Sequence, residues 1–156
     1  MVKKMNSNNL VCDIIEYINK NINDKISIDD LTYEFNYNRY YLMKIFKKEL
    51  NISIINYINY KRIYNSLSSL RDDKSILNVA LNNGFYSQEY YDEIFKKVIG
   101  TNPITYKSFI KNRHLSKKMK EDILINNLIN LEDIIDKINN YIRRRKTDNK
   151  VKSIFN

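Results

Sequence analysis

One phrase occurs twice in this chain. "YYLMKIFKKELN" begins at Tyr40 and "YYDEIFKKVIG" begins at Tyr90, with IFKK at positions 45–48 and again at 94–97. The likeness reaches further on both sides. Leu31-Thr32 matches Val79-Ala80 at an offset of 48, and Tyr57 matches Tyr106 at an offset of 49. The turn inside the second copy is therefore one residue longer. A repeated helix, tight turn and helix is a supersecondary unit used twice, and a helix-turn-helix is its leading form. A repeated core motif in a plain helical bundle would give the same pattern.

The local signals agree with helices throughout. Only two Gly and one Pro occur in 156 residues, and apolar residues recur at helical spacing, which predicts an all-α fold. Residues 9–20 place Leu10, Ile14 and Ile18 on one face. Ser27 or Asp29 caps a second helix with Ile28, Leu31 and Phe35 as its stripe. Asn36 suits the left-handed conformation of a tight turn. A third helix over about 38–50 buries Tyr41, Leu42, Ile45 and Phe46. Ser53 caps a long helix to about Leu70, Ser75 and Ser87 cap the helices of the second copy, Gly84 turns the chain and Gly100 ends the phrase. A short helix starts after Pro103.

The tail is different. Leu124, Leu128, Leu131, Ile135, Ile138 and Ile142 recur at the alternating spacing of a heptad seam. The RRRK run sits at the C-terminal end of that pattern, where cations suit the helix dipole, and the last residues read as frayed. The chain thus divides into a first unit (about 9–52), a linker helix (53–70), a second unit (75–110) and a C-terminal helical extension (111–156).

Composition narrows the function classes. The net charge is +9, which draws a protein to nucleic acid or an anionic membrane surface; a lysine-rich genome would also raise it. The single Cys12 excludes an intramolecular disulfide and a Cys-based metal site. No apolar run is long enough to span a membrane, and the N-terminus lacks the apolar segment of a signal peptide, so the expected location is the cytoplasm. Enzyme chemistry lacks its parts. There is one His (His114, in a polar stretch), one Cys and no phosphate-binding Gly-rich loop. No cofactor is expected.

The stretches "SIDDLTYEFNYNRYYLMKIFKKELNISIINYINYKRI" and "SILNVALNNGFYSQEYYDEIFKKVIGTNPITYK" together resemble the DNA-binding domain of the AraC/XylS family. The likeness covers about residues 9–110. Its most specific part is Gly84-Phe85, Ser87, Phe95-Lys96-Lys97, Gly100 and Pro103 through Tyr106. The resemblance implies two helix-turn-helix subdomains joined by a long linker helix, with both recognition helices entering neighbouring major grooves of double-stranded DNA. Most members of the family activate transcription, which implies RNA polymerase as a further partner. The linker is roughly 27 Å long at 1.5 Å per residue, close enough to the groove repeat of about 34 Å that one rod can hold the two units, with some DNA bending.

The outward positions of the first recognition helix are then Arg39, Tyr40, Met43 and Lys44. By the resemblance they meet base edges: Arg39 and Lys44 as donors to guanine, Tyr40 and Met43 against thymine methyls. Contact to phosphate alone is the plainer role for the two cations. Lys47, Lys48, Lys61 and Arg62, and Lys96 and Lys97 in the second copy, are phosphate contacts or a solvated face. The matching outward positions of the second copy are Gln88, Glu89, Asp92 and Glu93. From Asn36 to Arg62 six Lys/Arg face one acid, a net of +5, whereas from Ser75 to Ile110 there are three of each. Either the second unit reads a cytosine-bearing groove, or it docks weakly and leaves most affinity to the first.

Family members usually carry a separate sensor domain, and none fits ahead of residue 9, so no small-molecule effector is expected. The seam of the tail predicts a homodimer through Leu124, Leu128, Leu131, Ile135, Ile138 and Ile142, or a helix folded back on its own domain. A basic amphipathic membrane helix is a weaker reading. An alternative function is a protein-interaction module that modulates another regulator through its acidic second unit and C-terminal helix.

Overall fold

The computed structural model describes residues 7–111 and 118–155, and side chains within 9–111 and 124–155. His114 lies outside the described residues. Among the described residues eight helices follow in chain order: α1 (Ser7–Lys20), α2 (Ile28–Phe35), α3 (Arg39–Leu50), α4 (Ile54–Ser69), α5 (Ile76–Asn82), α6 (Gln88–Ile99), α7 (Pro103–Lys111) and α8 (Lys118–Phe155). The described residues contain no strand.

Local chemistry sets the helix starts. Ser27, and not Asp29, caps α2. Its Oγ accepts from the Asp30 backbone N–H, and the Asp30 carboxylate accepts from the Ser27 backbone N–H, a reciprocal capping box. Asn38, Ser53, Ser75 and Ser87 cap α3, α4, α5 and α6 in the same way, each accepting from the N–H three residues on. Asn36 is left-handed at φ 55°, as a tight turn requires, and Asn51 and Gly100 close α3 and α6 in the same region.

These caps locate the extra residue of the second copy. Ser27 and Ser75 are 48 apart, as are the left-handed Asn36 and Gly84; Asn38 and Ser87 are 49 apart, as are Asn51 and Gly100. The insertion falls between Gly84 and Tyr86, so the additional residue is Phe85. It is 2% exposed, and its ring lies 5.0 Å from that of Tyr91. The longer turn thus delivers an aromatic to the core.

The described residues form two hydrophobic clusters. The first gathers Leu10, Ile14 and Ile18 of α1 with Leu31, Leu42, Phe46, Tyr57 and Ile58. The second gathers Ile63, Leu70, Val79, Tyr91, Phe95, Ile99 and Tyr106. Helix α4 supplies both, its first half to one and its second half to the other. Tyr41 departs from the expected buried stripe of α3. It is 36% exposed and stacks on Tyr37 at 5.1 Å between ring centroids.

Helix α8 corrects the reading of the tail. Its seam is covered by the chain's own units and is not left for a second copy. Leu124 and Leu131 are buried in the second cluster with Leu128 packed against it; Ile135 and Ile138 are buried in the first, with Ile142 against it. The same six side chains cannot cover an oligomer contact without leaving both cores open. The period that suits a coiled coil also suits any helix laid along a groove between other helices. Nor is the end frayed: α8 remains helical to Phe155.

Candidate nucleic-acid interface

The two recognition helices, α3 and α6, present the expected faces to different degrees. On α3, Arg39, Tyr40, Met43 and Lys44 are all exposed, Tyr40 by 85%. Arg39 is already engaged, its Nη2 donating to the Asp29 carboxylate of α2 at 2.7 Å with both side chains largely in solvent. An exposed pair of this kind is worth about 0–1 kcal/mol, so it releases Arg39 at little cost. Lys47 and Lys48 are exposed in the last turn of α3, and Lys96 and Lys97 in the last turn of α6.

On α6, Glu89 and Glu93 are exposed, while Gln88 and Asp92 are half-buried. One carboxylate oxygen of Asp92, Oδ1, is sealed from solvent with no hydrogen-bond partner in the described structure. The outward acids of α6 are therefore the two glutamates, and Lys96 and Lys97 are its outward cations. A cleft of about 370 Å³ between α5 and α7 adds Lys74, Lys107 and Lys111 to this unit. Lys107 donates to the Lys74 carbonyl at 2.7 Å and Lys111 pairs with Asp73 at 2.6 Å, which holds the Asp73 carboxyl below its usual range. These lysines are not among the expected contacts; their signal in the sequence is the spacing of four between Lys107 and Lys111, one turn of a helix.

One assignment to phosphate does not match the structure. Arg62 is 7% exposed and faces inward. Its Nε donates to the Ile22 carbonyl at 2.9 Å and its Nη2 to the Asp24 carbonyl at 2.7 Å, and the guanidinium lies 5.9 Å from the Phe85 ring centroid. It ties the segment after α1 to the linker and to the second unit. Gly84 sits at the same junction with φ 83°, and a Cβ there would meet the Ile22 carbonyl at 2.6 Å and Arg62 Nε at 2.8 Å. The Gly84-Phe85 pair is thus the close approach that lets one arginine fasten both units. Lys61 is half-buried, its ammonium 5.9 Å from the Tyr64 ring centroid, and burial lowers its pKa.

Other buried polar contacts fix α4 between the units. Tyr57 Oη donates to Asn19 Oδ1 of α1 at 2.7 Å, Tyr91 Oη of α6 donates to Ser66 Oγ at 3.0 Å, and Asn59 Nδ2 donates to Tyr90 Oη at 3.1 Å. Helix α8 adds a second tie between the C-terminal ends of the recognition helices. Asn127 Nδ2 donates to the Ile99 carbonyl at the end of α6 at 2.9 Å, and Tyr141 Oη donates to Glu49 in the last turn of α3 at 3.3 Å. The two contact residues are 14 positions apart in α8, or about 21 Å at 1.5 Å per residue.

A repeated aromatic pair was also missed. Tyr37 stacks on Tyr41 before and within the first turn of α3, and Tyr86 stacks on Tyr90 at the same place in α6, with ring centroids 4.8 Å apart. Each pair clips the residue ahead of the cap onto the third helical residue, which fixes the angle at which the chain enters the helix, much as a hydrophobic staple does. Its signal is a Tyr-x-x-x-Tyr at 37–41 and again at 86–90.

Among the described residues no helix is long and apolar enough to cross a membrane, and no group of three or more His, Cys, Asp and Glu is placed to hold a metal ion.

Comparison with known proteins gives consistent matches. A family model described as "Helix-turn-helix domain" matches residues 31–108. The chain is 32% identical over 102 residues to the probable transcription factor PqrA of Proteus vulgaris, covering 64% of this chain and 84% of PqrA. It is 30% identical over 118 residues to the uncharacterized HTH-type transcriptional regulator YbfP of Bacillus subtilis, covering 70% of this chain and 40% of that protein. The chain therefore spans less than half of YbfP. Among solved structures, the DNA-binding domain of AdpA, a global transcriptional factor in complex with a target DNA, superposes with a TM-score of 0.62 over 69% of this chain and 97% of that one, at 16% identity.

Proposed function

The chain belongs to the AraC/XylS family of helix-turn-helix transcriptional regulators, and on that premise we propose that it is a sequence-specific DNA-binding regulator whose first unit supplies most of the affinity. The observation that carries this reading is the contrast between the two recognition faces. Helix α3 offers Arg39, Tyr40, Met43, Lys44, Lys47 and Lys48 to solvent, four cations among them, whereas α6 offers Glu89 and Glu93 together with Lys96 and Lys97, two acids against two cations. Phosphate attraction dominates protein–DNA affinity, so the basic face is the stronger one. Lys44, and Arg39 once released from Asp29, donate to guanine O6 or N7; Tyr40 and Met43 pack on thymine methyls. Lys47 and Lys48 contact phosphate, and so do Lys96 and Lys97.

The second unit orients the complex. Glu89 or Glu93 accepts from a cytosine amino group where the groove offers one. With both recognition helices on one chain, a single copy can engage two neighbouring grooves. The AdpA complex, with the same fold, supports duplex DNA as the ligand. Activation through RNA polymerase is the outcome that the family implies.

Selection from random duplex DNA at physiological salt tests the reading. The expected product is one recurrent site. Lys44→Ala should lower affinity for it by about 1–3 kcal/mol and relax one base position. If Lys44→Ala leaves affinity and specificity unchanged while Glu93→Ala abolishes binding, the dominance of the first unit is wrong. A reporter promoter carrying the selected site then separates activation from repression.

A further inference from the structure

Helix α8 runs on past the cores it covers. The last side chain packed against a core is Ile142, and the helix continues to Phe155, about 20 Å further. The residues of this end divide by partner. Some are held: Lys146 pairs with Glu16 of α1 at 2.6 Å, Arg145 reaches Glu49 of α3 at 3.8 Å, and Asn149 bonds Asn9 at 3.1 Å. Arg143, Arg144, Lys150 and Lys152 are exposed and form no ion pair among the described residues. From Arg143 to Phe155 six cations face one acid, Asp148, a net of +5.

We propose that Arg143, Arg144, Lys150 and Lys152 form a further DNA contact, made to the phosphate backbone of the duplex that flanks the stretch bound by α3. This rests on the first-unit reading above. The location carries it. Glu49, which anchors Arg145 and Tyr141, lies in the last turn of α3 beside the exposed Lys47 and Lys48, and the next contacts of α8 are to Glu16 and Asn9 of α1, so the free cations of α8 add to the charge of the first unit and not to that of α6. Glu16 and Glu49, the acids across from this end, are paired with Lys146 and Arg145, and even with Asp148 counted the end keeps its net positive charge for a partner. A duplex presents one phosphate per about 3.4 Å of each strand. A 20 Å helix end therefore spans several phosphates, and four cations suit contact with two to four of them.

The test uses the full chain, one selected site and two duplexes. One duplex ends at the site, and the other continues by about 10 bp, one turn, on the first-unit side. For the wild-type chain the longer duplex should bind about tenfold or more tightly at low salt, and its salt slope should be steeper by about 2–4. In Arg143→Gln/Arg144→Gln/Lys150→Gln/Lys152→Gln, with circular dichroism verifying the helix content, that difference between duplexes should vanish. Equal wild-type binding to both duplexes overturns the proposal without any variant. So does a variant that keeps the gain from the extension, or one that loses only its binding to phosphatidylserine vesicles (Val151, Ile154 and Phe155 are exposed on this end). A wild-type chain that binds neither duplex overturns the first-unit reading and this inference with it.

Discussion

Arg62→Met separates a structural arginine from a DNA-binding one. Methionine keeps most of the aliphatic stem that packs in the linker and removes the guanidinium. Two carbonyls, of Ile22 and Asp24, then lose donors at 2.9 and 2.7 Å. A hydrogen bond from a charged donor contributes about 1.5–3 kcal/mol, so the two together stand for roughly 3–6 kcal/mol. Part of this is offset, because burial of the guanidinium is unfavourable and lowers its pKa. The expected net destabilisation is about 2–4 kcal/mol, a large fraction of the stability of a domain of this size. Urea denaturation of wild type and variant, followed by circular dichroism, gives that difference. Titration of DNA binding against salt below the unfolding transition gives the second readout, and its slope should match that of wild type. A variant within about 0.5 kcal/mol of wild type, with a salt slope lowered by about 0.9, would identify Arg62 as a phosphate ligand and refute the inward assignment.

The same junction predicts that Gly84→Ala is destabilising by about 2–4 kcal/mol in chemical denaturation, since alanine at φ 83° is strained and its Cβ would meet backbone at 2.6 Å; an unchanged midpoint would mean that the turn rearranges freely. Ile135→Ala on α8 should lower stability by about 2–5 kcal/mol while sedimentation shows no change in oligomeric state; a dimer that dissociates without loss of stability would restore the seam as an oligomer contact. Alkaline pH should also destabilise the protein. Burial pushes the Tyr57 hydroxyl up to about 12, whereas an unfolded tyrosine ionises near 10. The folded state therefore holds this proton more tightly. Its contribution of about 2–3 kcal/mol is complete below about pH 10 and is lost as pH rises to about 12. Urea midpoints that stay level from pH 8 to pH 11 contradict this.

The repeat, the caps and the turns were legible from the chain alone because each is local. Ser, Asn and Gly at fixed offsets state where a helix begins, where it ends and where the backbone turns left-handed, and no distant contact is needed to decide it. Ser53, Ser75, Ser87, Asn36 and Gly100 all took the expected places. The outward face of α3 was legible for the same reason, since Leu42, Ile45 and Phe46 take the core and leave Arg39, Tyr40, Met43 and Lys44 outside. Direction and partner for side chains away from those stripes were not. Arg62 reads as a surface cation because it is charged and follows Lys61; only the folding of the segment after α1 and of Gly84 onto the linker encloses it. Tyr41 reads as core until its own neighbour Tyr37 offers it a stack in solvent. The seam of α8 reads as a coiled coil because periodicity reports that a helix has an apolar face and says nothing of what covers it. Covering is decided by which groove lies within reach, and here the nearest one runs across the two helix-turn-helix units of the same chain.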